Sequence, residues 1–382
     1  MSVKVGWSIA FGTGRVHLAT RTLLHDRVRL AISLGGIGFA ILLVLLLRGI
    51  MDGTISRSTT FVDHVGADIF VSRAGVTNMV LSSAAIPETT VPVVRGTDGV
   101  TAVAGIMRFP VIVSNAQRQR PATAIGFDGE GFGGPWKLRS GRASVGFDEA
   151  VIDGDLANDL AVGIDGRIRL AGQEFTVVGL SAQTAAIGGK LVFVRREQLQ
   201  AVMGAKGNVS FVLARLEPGR DPKAVADAFN VANPELKALT RAELSHNDRE
   251  LLGSLFISPI NVMSTAGLLV GLAIVGLTMY TTTAERLRDF GVLKAIGASN
   301  AFLFRTVMTE AAVLGGAGYV IGFVAAQISG PLVTGFVPDI GVTVTGSNAA
   351  MAFLAMMAMC LVGAVAPVAR IMRVDPLLVF RR

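Results

Sequence analysis

Few side chains in this sequence have the types and spacing that nucleotide binding, hydrolysis or metal binding would need. A phosphate-binding loop reads G-x-x-x-x-G-K-[ST], because its backbone cradles the phosphates, its lysine reaches them and its hydroxyl holds Mg²⁺. The nearest approach in this chain is Gly189, Lys190 and Leu191, with Thr184 where the first glycine should stand. Two required residues are missing, and the segment is therefore typical of a hairpin turn rather than of an ATP site.

Histidine is the residue that most often acts as a general base or a zinc ligand near neutral pH. The sequence contains four histidines: His17, His25, His64 and His246. His64 shortly follows the first long apolar segment and His246 shortly precedes the second, so the two could approach each other. A metal-binding or proton-sensing pair is one interpretation, but two histidines without a placed carboxylate are more often surface residues. Their role stays open at this point.

The remaining candidates for chemistry are three aspartates and one cysteine. Asp153, Asp155 and Asp159 lack the glycine and the terminal glutamate of a calcium-binding EF-hand loop. The single cysteine, Cys360, excludes an intrachain disulfide and any C-x-x-C site. We therefore expect a chain that is not an enzyme and that holds no metal or cofactor of its own.

The composition indicates a membrane protein. Of the 382 residues, 51% are hydrophobic and 16% are charged, and the mean hydropathy is +0.57. Soluble domains average about 45–50% apolar and about 25% charged residues. Apolar windows of about 20 residues predict transmembrane helices, and they lie at 30–50, 257–283, 306–328 and 349–369. The predicted fold class is a membrane α-helical protein with four spans in a 1+3 arrangement and a large α+β extracytoplasmic domain at 51–256, between the first and second spans.

Basic residues are concentrated at one end of each predicted span, and cytoplasmic flanks are the ends that retain Lys and Arg. They are Lys4, Arg15, Arg21, Arg27 and Arg29 before the first span, Arg286, Arg288, Lys294 and Arg305 between the second and third, and Arg370, Arg373, Arg381 and Arg382 after the fourth. We therefore predict that segment 1–29, expected to be an interfacial helix, loop 284–305 and tail 370–382 are cytoplasmic, and that loop 329–348 is external. The net charge of +7 reflects this topology and the lipid headgroups rather than nucleic acid.

The segment between the first two spans alternates strand-like and helix-like patches. The strand-like patches are 67–72, 101–113, 121–127, 168–170, 175–180, 191–194 and 209–216. A helix is predicted at 222–231, with Asp221 as its N-cap and Pro222 in its first position. A further helix is predicted from Arg241 towards the second span, as far as Pro259. The glycine-rich segment 126–135 indicates a subdomain junction or a mobile loop.

Two features inside the predicted spans concern helix packing. Pairs with the G-x-x-x-G spacing are Gly267 with Gly271 and Gly318 with Gly322. This spacing permits close approach of helices, either in a dimer or within a bundle. Glu310 lies one turn inside the third span, where a carboxylate is costly unless it is paired, protonated or near the interface. We favour an interpretation in which Glu310 snorkels to the cytoplasmic surface near Arg305, and a polar pivot between helices is the alternative.

The loop between the second and third spans contains a short amphipathic helix. Its sequence from Thr283 is TAERLRDFGVLKAIGASNAFLFR, and Gly297 should end the helix. The apolar side is supplied by Leu287, Phe290, Leu293 and Ala295 to Ile296, and the charged residues are exposed. A connecting helix rarely presents an apolar stripe to the cytosol without a partner, so we expect another protein to dock here.

Several separated segments of the sequence resemble the MacB/FtsX-like permease family of ABC transporters. They are RTLLHDRVRLAISLGGIGFAILL leading into the first span, GADIFV at Gly66, GQEFTVVGL at Gly172, ERLRDFGVLKAIGAS at Glu285, EAAVLGGAGYVIG at Glu310 and APVARIMRVDP at Ala366. The KAIGAS element, in its place between two spans, is the most specific of them. Asp289 and Phe290 stand where many relatives have an acidic and an aliphatic residue, which is a mild departure from the family pattern.

The resemblance implies a multi-pass protein of the bacterial inner membrane with both termini in the cytoplasm, a MacB-like periplasmic core domain and an FtsX-like permease region at 257–376. It also implies a homodimer that works with two copies of a separate cytoplasmic ATPase, which binds ATP and Mg²⁺. Membrane lipids are a further partner, and the likeness to the DevC-like branch adds a periplasmic adaptor. The coupling residues carried over from the family motif are Glu285, Arg286, Arg288, Asp289, Gly291, Lys294 and Gly297.

The function that the resemblance implies is mechanotransmission. ATP hydrolysis by the partner would drive an extracytoplasmic conformational change that exports an amphiphilic substrate, such as a lipid, peptide, drug or lipoprotein. The alternative is a signalling subunit that activates a cell-wall hydrolase or a sensor without transport.

Overall fold

The computed structural model describes residues 27–82, 85–129, 131–186, 189–336 and 341–372. The chain divides into two compact units, one built on the long apolar helices and one on Gly53–Phe256. They are called the helix unit and the 53–256 domain below. Nearly all of the expected interfacial segment 1–29 and of the tail 370–382 lies outside the described residues.

The helices follow from the apolar windows and from local capping signals. They are α1 (Arg27–Ser58), α2 (Thr60–His64), α3 (Thr90–Arg95), α4 (Gly154–Leu160), α5 (Arg196–Val202), α6 (Pro222–Ala232), α7 (Arg241–Glu285), α8 (Leu287–Ala295), α9 (Asn300–Phe336) and α10 (Gly346–Met372). Within the described residues, four segments are long and apolar enough to cross a membrane: Leu30–Ser58, Arg241–Glu285, Asn300–Gly335 and Gly346–Ala369. The predicted 1+3 arrangement is therefore confirmed.

Helix α7 begins at Arg241, as the sequence predicted, but it does not end at Pro259. The helix continues through this residue to Glu285. A proline inside a helix removes one backbone N–H donor and can bend the helix without terminating it. The predicted end of the helix at Pro259 is therefore replaced by a continuous helix that joins the 53–256 domain to the second span.

The 53–256 domain is built on one large mixed sheet. Its strands are β1 (Ile69–Arg73), β2 (Ile86–Pro87), β3 (Val100–Ser114), β4 (Gln119–Phe127), β5 (Leu138–Gly141), β6 (Glu149–Asp153), β7 (Arg167–Leu170), β8 (Gln173–Ser181), β9 (Ala185–Ala186), β10 (Gly189–Arg195), β11 (Asn208–Val209), β12 (Phe211–Leu216) and β13 (Leu236–Thr240). The order in the main sheet is β13-β1-β12-β3-β4-β10-β6-β8-β5, and β7 pairs with β3 and β8. The predicted α+β class between the first and second spans is confirmed.

The long strand β3 joins the two halves of this sheet. Its first half pairs with β12, with Ala104 opposite Leu213, and its second half pairs with β4, with Phe109 opposite Ala124. The predicted strand 209–216 is interrupted at Ser210, whose hydroxyl accepts the Arg108 N–H at 3.0 Å. A side chain thus replaces a backbone partner at that point, and β11 pairs with β2 in a separate two-stranded sheet.

Strong local signals in the sequence predicted the correct elements in this domain. Helix α6 spans Pro222–Ala232, and the Asp221 carboxylate accepts the Lys223 N–H, as expected of an N-cap. In the glycine-rich segment, a Cβ on Gly134 would lie 2.5 Å from the Phe127 ring. The close packing of Gly134 on this core ring explains why the segment breaks the strand period.

Candidate functional site

His64 and His246 do not form a shared site, and His17 and His25 lie outside the described residues. The His64 ring stacks on Trp136, with 5.8 Å between centroids, and its Nδ1 lies 2.9 Å from the Thr60 carbonyl oxygen. His246 Nε2 lies 3.7 Å from a Glu250 carboxylate oxygen, one turn along the same helix. Among the residues described, no group of three or more His, Cys, Asp or Glu side chains could hold a metal ion. The two histidines have different neighbours, which favours the interpretation as surface residues.

The aspartates and the lysine of the glycine-lysine segment have structural roles. Strands β9 and β10 form a hairpin, as the sequence indicated, and Lys190 Nζ lies 2.5 Å from Asp159 Oδ2. Asp153 caps α4 by accepting the Asp155 N–H and also accepts the Thr184 hydroxyl at 2.6 Å. Lys190 therefore pairs with Asp159, and Asp153 pairs with Thr184, inside the domain.

The candidate functional site is the connection between the second and third spans. Helix α7 ends at Glu285, α8 covers Leu287–Ala295 and α9 starts at Asn300. Gly297 has φ +101° and ends α8: its N–H donates to the Lys294 carbonyl, and the Ala298 N–H donates to the Leu293 carbonyl. This pair of hydrogen bonds is a Schellman motif, in which glycine takes the left-handed conformation without steric cost.

Part of the predicted apolar side of α8 packs on the chain's own helices, and part of it is exposed. Phe290 is buried in the core of the helix unit, and Leu293 is partly buried against it. The sequence pattern could not distinguish apolar residues that bind another protein from apolar residues that pack against the chain's own helices. Ala295 and Ile296 are exposed, so the predicted apolar side is available to a partner only at its C-terminal end.

The solvent-facing side of α8 carries charged and apolar residues. Arg288 and Asp289 are exposed, and the side chains of Val292 and Ile296 are 44% and 76% exposed. At 3.6 residues per turn, the four residues lie within about 100° of one another on α8 and its C-cap, so they share one side. We call them the docking face; helical spacing would have found Val292, which the sequence analysis did not single out.

The other motif residues lie at the two ends of α8 or inside it. Gly291 is buried beside Phe290, while Glu285 is exposed and Lys294 is half-buried. Arg286 occupies the N-cap position of α8. The structure thus brings the motif together as one short element, but only part of the motif lies on the docking face.

Glu310 does not snorkel towards Arg305. Its carboxylate lies 3.3 Å from Arg286 Nη1, and its side chain is 8% exposed. Arg305 is exposed and five residues away, which corresponds to roughly 140° around a helix, so it points to a different side. Glu310 is therefore a polar contact between α9 and the start of α8, which is the alternative that the sequence left open.

Both G-x-x-x-G pairs pack against α1 in the same chain. A Cβ on Gly267 would lie 2.9 Å from Leu43, and one on Gly271 would lie 2.9 Å from Ala40. On α9, Gly318 faces Ile37 and Gly38, and Gly322 faces Gly38 and Ile41. These glycines therefore pack within the helix bundle of one chain, which is the second of the two uses that the spacing permits.

Comparison with known proteins assigns families to most of the chain. A model described as the MacB-like periplasmic core domain matches residues 30–231, and one described as the FtsX-like permease C-terminal region matches residues 261–376. An uncharacterized ABC transporter permease of Mycobacterium bovis is 26% identical over 364 residues, which cover 95% of this chain and 98% of that relative.

Two solved structures are also similar. The extracellular domain of the noncanonical ABC-type transporter YknZ from Gram-positive bacteria shares 16% identity and covers 45% of this chain and 98% of its own, with a TM-score of 0.36. The periplasmic region of MacB from Actinobacillus actinomycetemcomitans shares 9% identity and covers 49% of this chain and 94% of its own, with a TM-score of 0.37.

Proposed function

This chain belongs to the ABC transporter permeases of the MacB/FtsX type, and we propose that a separate ATPase drives it through residues 285–297. The permease assignment makes the chain a non-catalytic transmembrane subunit. In our proposal the chain forms a homodimer that binds two copies of the ATPase, and ATP with Mg²⁺ is held by those copies. A periplasmic adaptor and membrane lipids complete the proposed assembly.

The observation that carries this proposal is the docking face of α8. Two exposed apolar side chains, Val292 and Ile296, lie beside the charged pair Arg288 and Asp289. An apolar centre with charged neighbours is the composition of protein interfaces, in which the charges set orientation and the apolar contacts supply affinity. The face also lies in a connection between spans, where a bound protein can act on both helices.

The contacts of α8 suit it to transmit a displacement. Arg286 alone separates α7 from α8, and its guanidinium pairs with Glu310 of α9. Phe290 is buried among core residues of the helix unit, such as Leu303 and Val307 of α9. A force applied to the docking face therefore reaches α9 through an ion pair and a packed aromatic ring, and it reaches α7 through the one-residue connection, as in a rigid-body transition.

We place the docking face in the cytoplasm and the 53–256 domain outside it. The support is the distribution of Lys and Arg, which favours the cytoplasm for the loop between the second and third spans. In this orientation ATP hydrolysis inside the cell changes the conformation of a domain outside it. The substrate class we propose is an amphiphile, such as a lipid, peptide, drug or lipoprotein, that is moved from the outer side of the membrane.

The orientation can be tested with single cysteines in the full-length chain. Cys360 is buried and is replaced by alanine, and cysteine is then placed at Arg288 in one variant and at Gln117, in the β3–β4 turn, in another. A membrane-impermeant maleimide applied to intact cells should label Gln117→Cys and spare Arg288→Cys until the membrane is opened. Labelling of Arg288→Cys in intact cells would reverse the proposed topology.

The coupling is tested with the ABC ATPase encoded nearest to this chain. The two proteins are co-expressed and purified, and ATP hydrolysis is measured in lipid nanodiscs. We expect Arg288→Glu combined with Ile296→Ser to abolish co-purification and the stimulation of hydrolysis. Arg305→Glu is the matched control, because Arg305 is exposed but lies outside the docking face. Normal assembly and hydrolysis with the docking-face variant would refute the proposal.

Transport and signalling are separated by a second measurement on the same complex. Loss of a fluorescent phospholipid or lipopeptide from proteoliposomes during ATP hydrolysis would support export. Hydrolysis without any such loss, together with ATP-dependent capture of a cell-wall hydrolase, would assign the chain to the signalling alternative.

A further inference from the structure

Arg48 occupies an unusual position in the helix unit. It lies in α1 within the apolar segment Leu30–Ser58, five residues before the start of the 53–256 domain. Its Nη2 donates a hydrogen bond of 3.0 Å to the Asn261 side-chain oxygen on α7. Val262 and Met263, which follow Asn261, are 68% and 50% exposed. A charged group is therefore held at an apolar outer surface of the helix unit.

No carboxylate neutralises Arg48 within the described residues. Asp52 lies one turn further along α1, but its Oδ2 accepts the Asn348 side-chain N–H at 2.9 Å and lies 3.5 Å from the Thr345 hydroxyl. None of the ion pairs among the residues described includes Arg48. The partner that fixes the guanidinium, Asn261, is a neutral amide.

A guanidinium in this environment needs further acceptors. It carries five N–H donors in a planar fork, and the bond to Asn261 uses one of them. Arginine near the end of a membrane helix extends its charged group towards the headgroup layer, because burial of the charge in hydrocarbon is costly. Phosphate oxygens in that layer match the fork geometry and bind it with charge-assisted hydrogen bonds.

We propose that Arg48, oriented by Asn261, binds the phosphate of a membrane phospholipid at the end of the helix unit that leads into residues 53–256. The neutral amide is essential to this assignment, since it fixes the direction of the guanidinium and leaves its charge available. An aspartate in place of Asn261 would instead form an internal ion pair. The inference concerns lipid binding alone and does not depend on the proposed coupling to an ATPase.

The test measures phospholipid binding to the full chain by native mass spectrometry. Delipidated protein is titrated with phosphatidylglycerol, with a diacylglycerol of the same acyl chains and with inorganic phosphate. We expect Arg48→Gln to weaken binding of the first phosphatidylglycerol by about tenfold, the loss of one charge-assisted contact. Arg305→Gln is the control, because Arg305 is an exposed arginine of the same unit that hydrogen-bonds to no Asn side chain in the described residues.

A second variant keeps Arg48 in place and so guards against simple misfolding. Asn261→Asp should weaken phosphatidylglycerol binding about as much as Arg48→Gln, because the new carboxylate occupies the guanidinium and repels phosphate. Unchanged binding in both variants would overturn the proposal, and so would equal binding of diacylglycerol. Displacement of the lipid by inorganic phosphate at equal concentration would assign the site to a free anion. A change in oligomeric mass without a change in bound lipid would assign the pair to a subunit contact.

Discussion

In the 53–256 domain, Arg249 Nη2 lies 2.8 Å from Asp63 Oδ2. Asp63 Oδ1 accepts a hydrogen bond from the Ser245 hydroxyl, also at 2.8 Å, and Asp63 Oδ2 accepts one from the Thr59 hydroxyl. Asp63 belongs to α2, which follows the helix of the first span, and Ser245 and Arg249 belong to α7, which continues as the second. One carboxylate therefore ties together the two chain segments that lead to the membrane.

Removal of this carboxylate should loosen the connection between α2 and α7. Asp63→Ala leaves the Ser245 hydroxyl without this acceptor and leaves Arg249 with the Thr59 hydroxyl instead of a carboxylate. We expect a loss of about 1–2 kcal/mol of stability, because the pair is partly exposed to solvent. Hydrogen exchange of peptide 241–252 in the full chain should rise accordingly. Glu250→Ala is the control, because Glu250 pairs only with the exposed His246 in the described residues. Equal exchange in the two variants would show that Asp63 does not hold the helices together.

Asp248 should make the stability of the domain depend on pH in an unusual direction. The side chain is fully buried, one oxygen accepts the N–H groups of Met79 and Val80, and the other has no partner in the described residues. Burial raises the pKa of Asp248 to about 6; the two N–H donors and Arg108 oppose this shift, and Asp63 adds to it. In an unfolded chain the same group titrates near 3.8.

Between these two pKa values the folded protein holds a proton that the unfolded protein has released. This contribution to stability is therefore greatest at acid pH, falls as the pH rises from about 4 to about 6, and amounts to about 2–3 kcal/mol. Asp248→Asn removes it, so the variant should gain stability relative to the wild type as the pH rises from 5 to 7.5. Thermal midpoints of the full chain at both pH values provide the measurement. Asp98→Asn, at an exposed aspartate, should have the same thermal midpoint as the wild type at both pH values.

Gly322 should not tolerate a methyl group. A Cβ at this position would lie 2.5 Å from the Gly38 carbonyl oxygen, and backbone atoms cannot move without separating α9 from α1. We expect Gly322→Ala to cost about 2 kcal/mol or more, within the range of overpacked cores. Gly316→Ala on the same helix is the matched control, because nothing lies within 4 Å of its Cβ position. A Gly322→Ala chain with the same thermal midpoint as Gly316→Ala would contradict the described packing.

Features that depend on periodicity or on a local cap could be predicted from the sequence. The four spans follow from apolar windows, and the Asp221 cap and the Gly297 terminus follow from the chemistry of single residues. Features that depend on which two surfaces pack together could not be predicted from the sequence. Phe290 is apolar whether it faces a partner or its own bundle, and only the packing of α8 decides between the two.

The same limit explains polar contacts that the sequence analysis assigned wrongly or missed. Glu310 was expected near Arg305 because the two are close along the chain, but its partner, Arg286, lies on a neighbouring element. Asn230 is a further case: its side-chain amide donates to the Ala238 carbonyl and accepts the Ala238 N–H, so it covers part of the edge of β13. No spacing of residues in the sequence predicts that a side chain will hydrogen-bond to the edge of a strand.

The pair Arg286 and Glu310 should behave as a unit that positions α8 against α9. Glu310 is almost completely buried, and Glu310→Ala removes the carboxylate that lies 3.3 Å from the half-buried guanidinium of Arg286. We expect this variant to lose about 2–3 kcal/mol, below the cost of breaking a fully buried pair because Arg286 keeps 27% of its side chain exposed. Arg286→Ala alone should cost a similar amount, since it leaves the carboxylate uncompensated.

The exchange of the two charges distinguishes a specific pair from two independent contributions. Arg286→Glu combined with Glu310→Arg restores opposite charges, and this double variant should be more stable than either single change, as judged by thermal midpoint. Arg305→Gln, which removes an exposed charge from the same helix, should leave the midpoint unchanged. If the exchange is as damaging as the sum of its single changes, the ion pair does not fix α8, and transmission from the docking face must run through Phe290 instead.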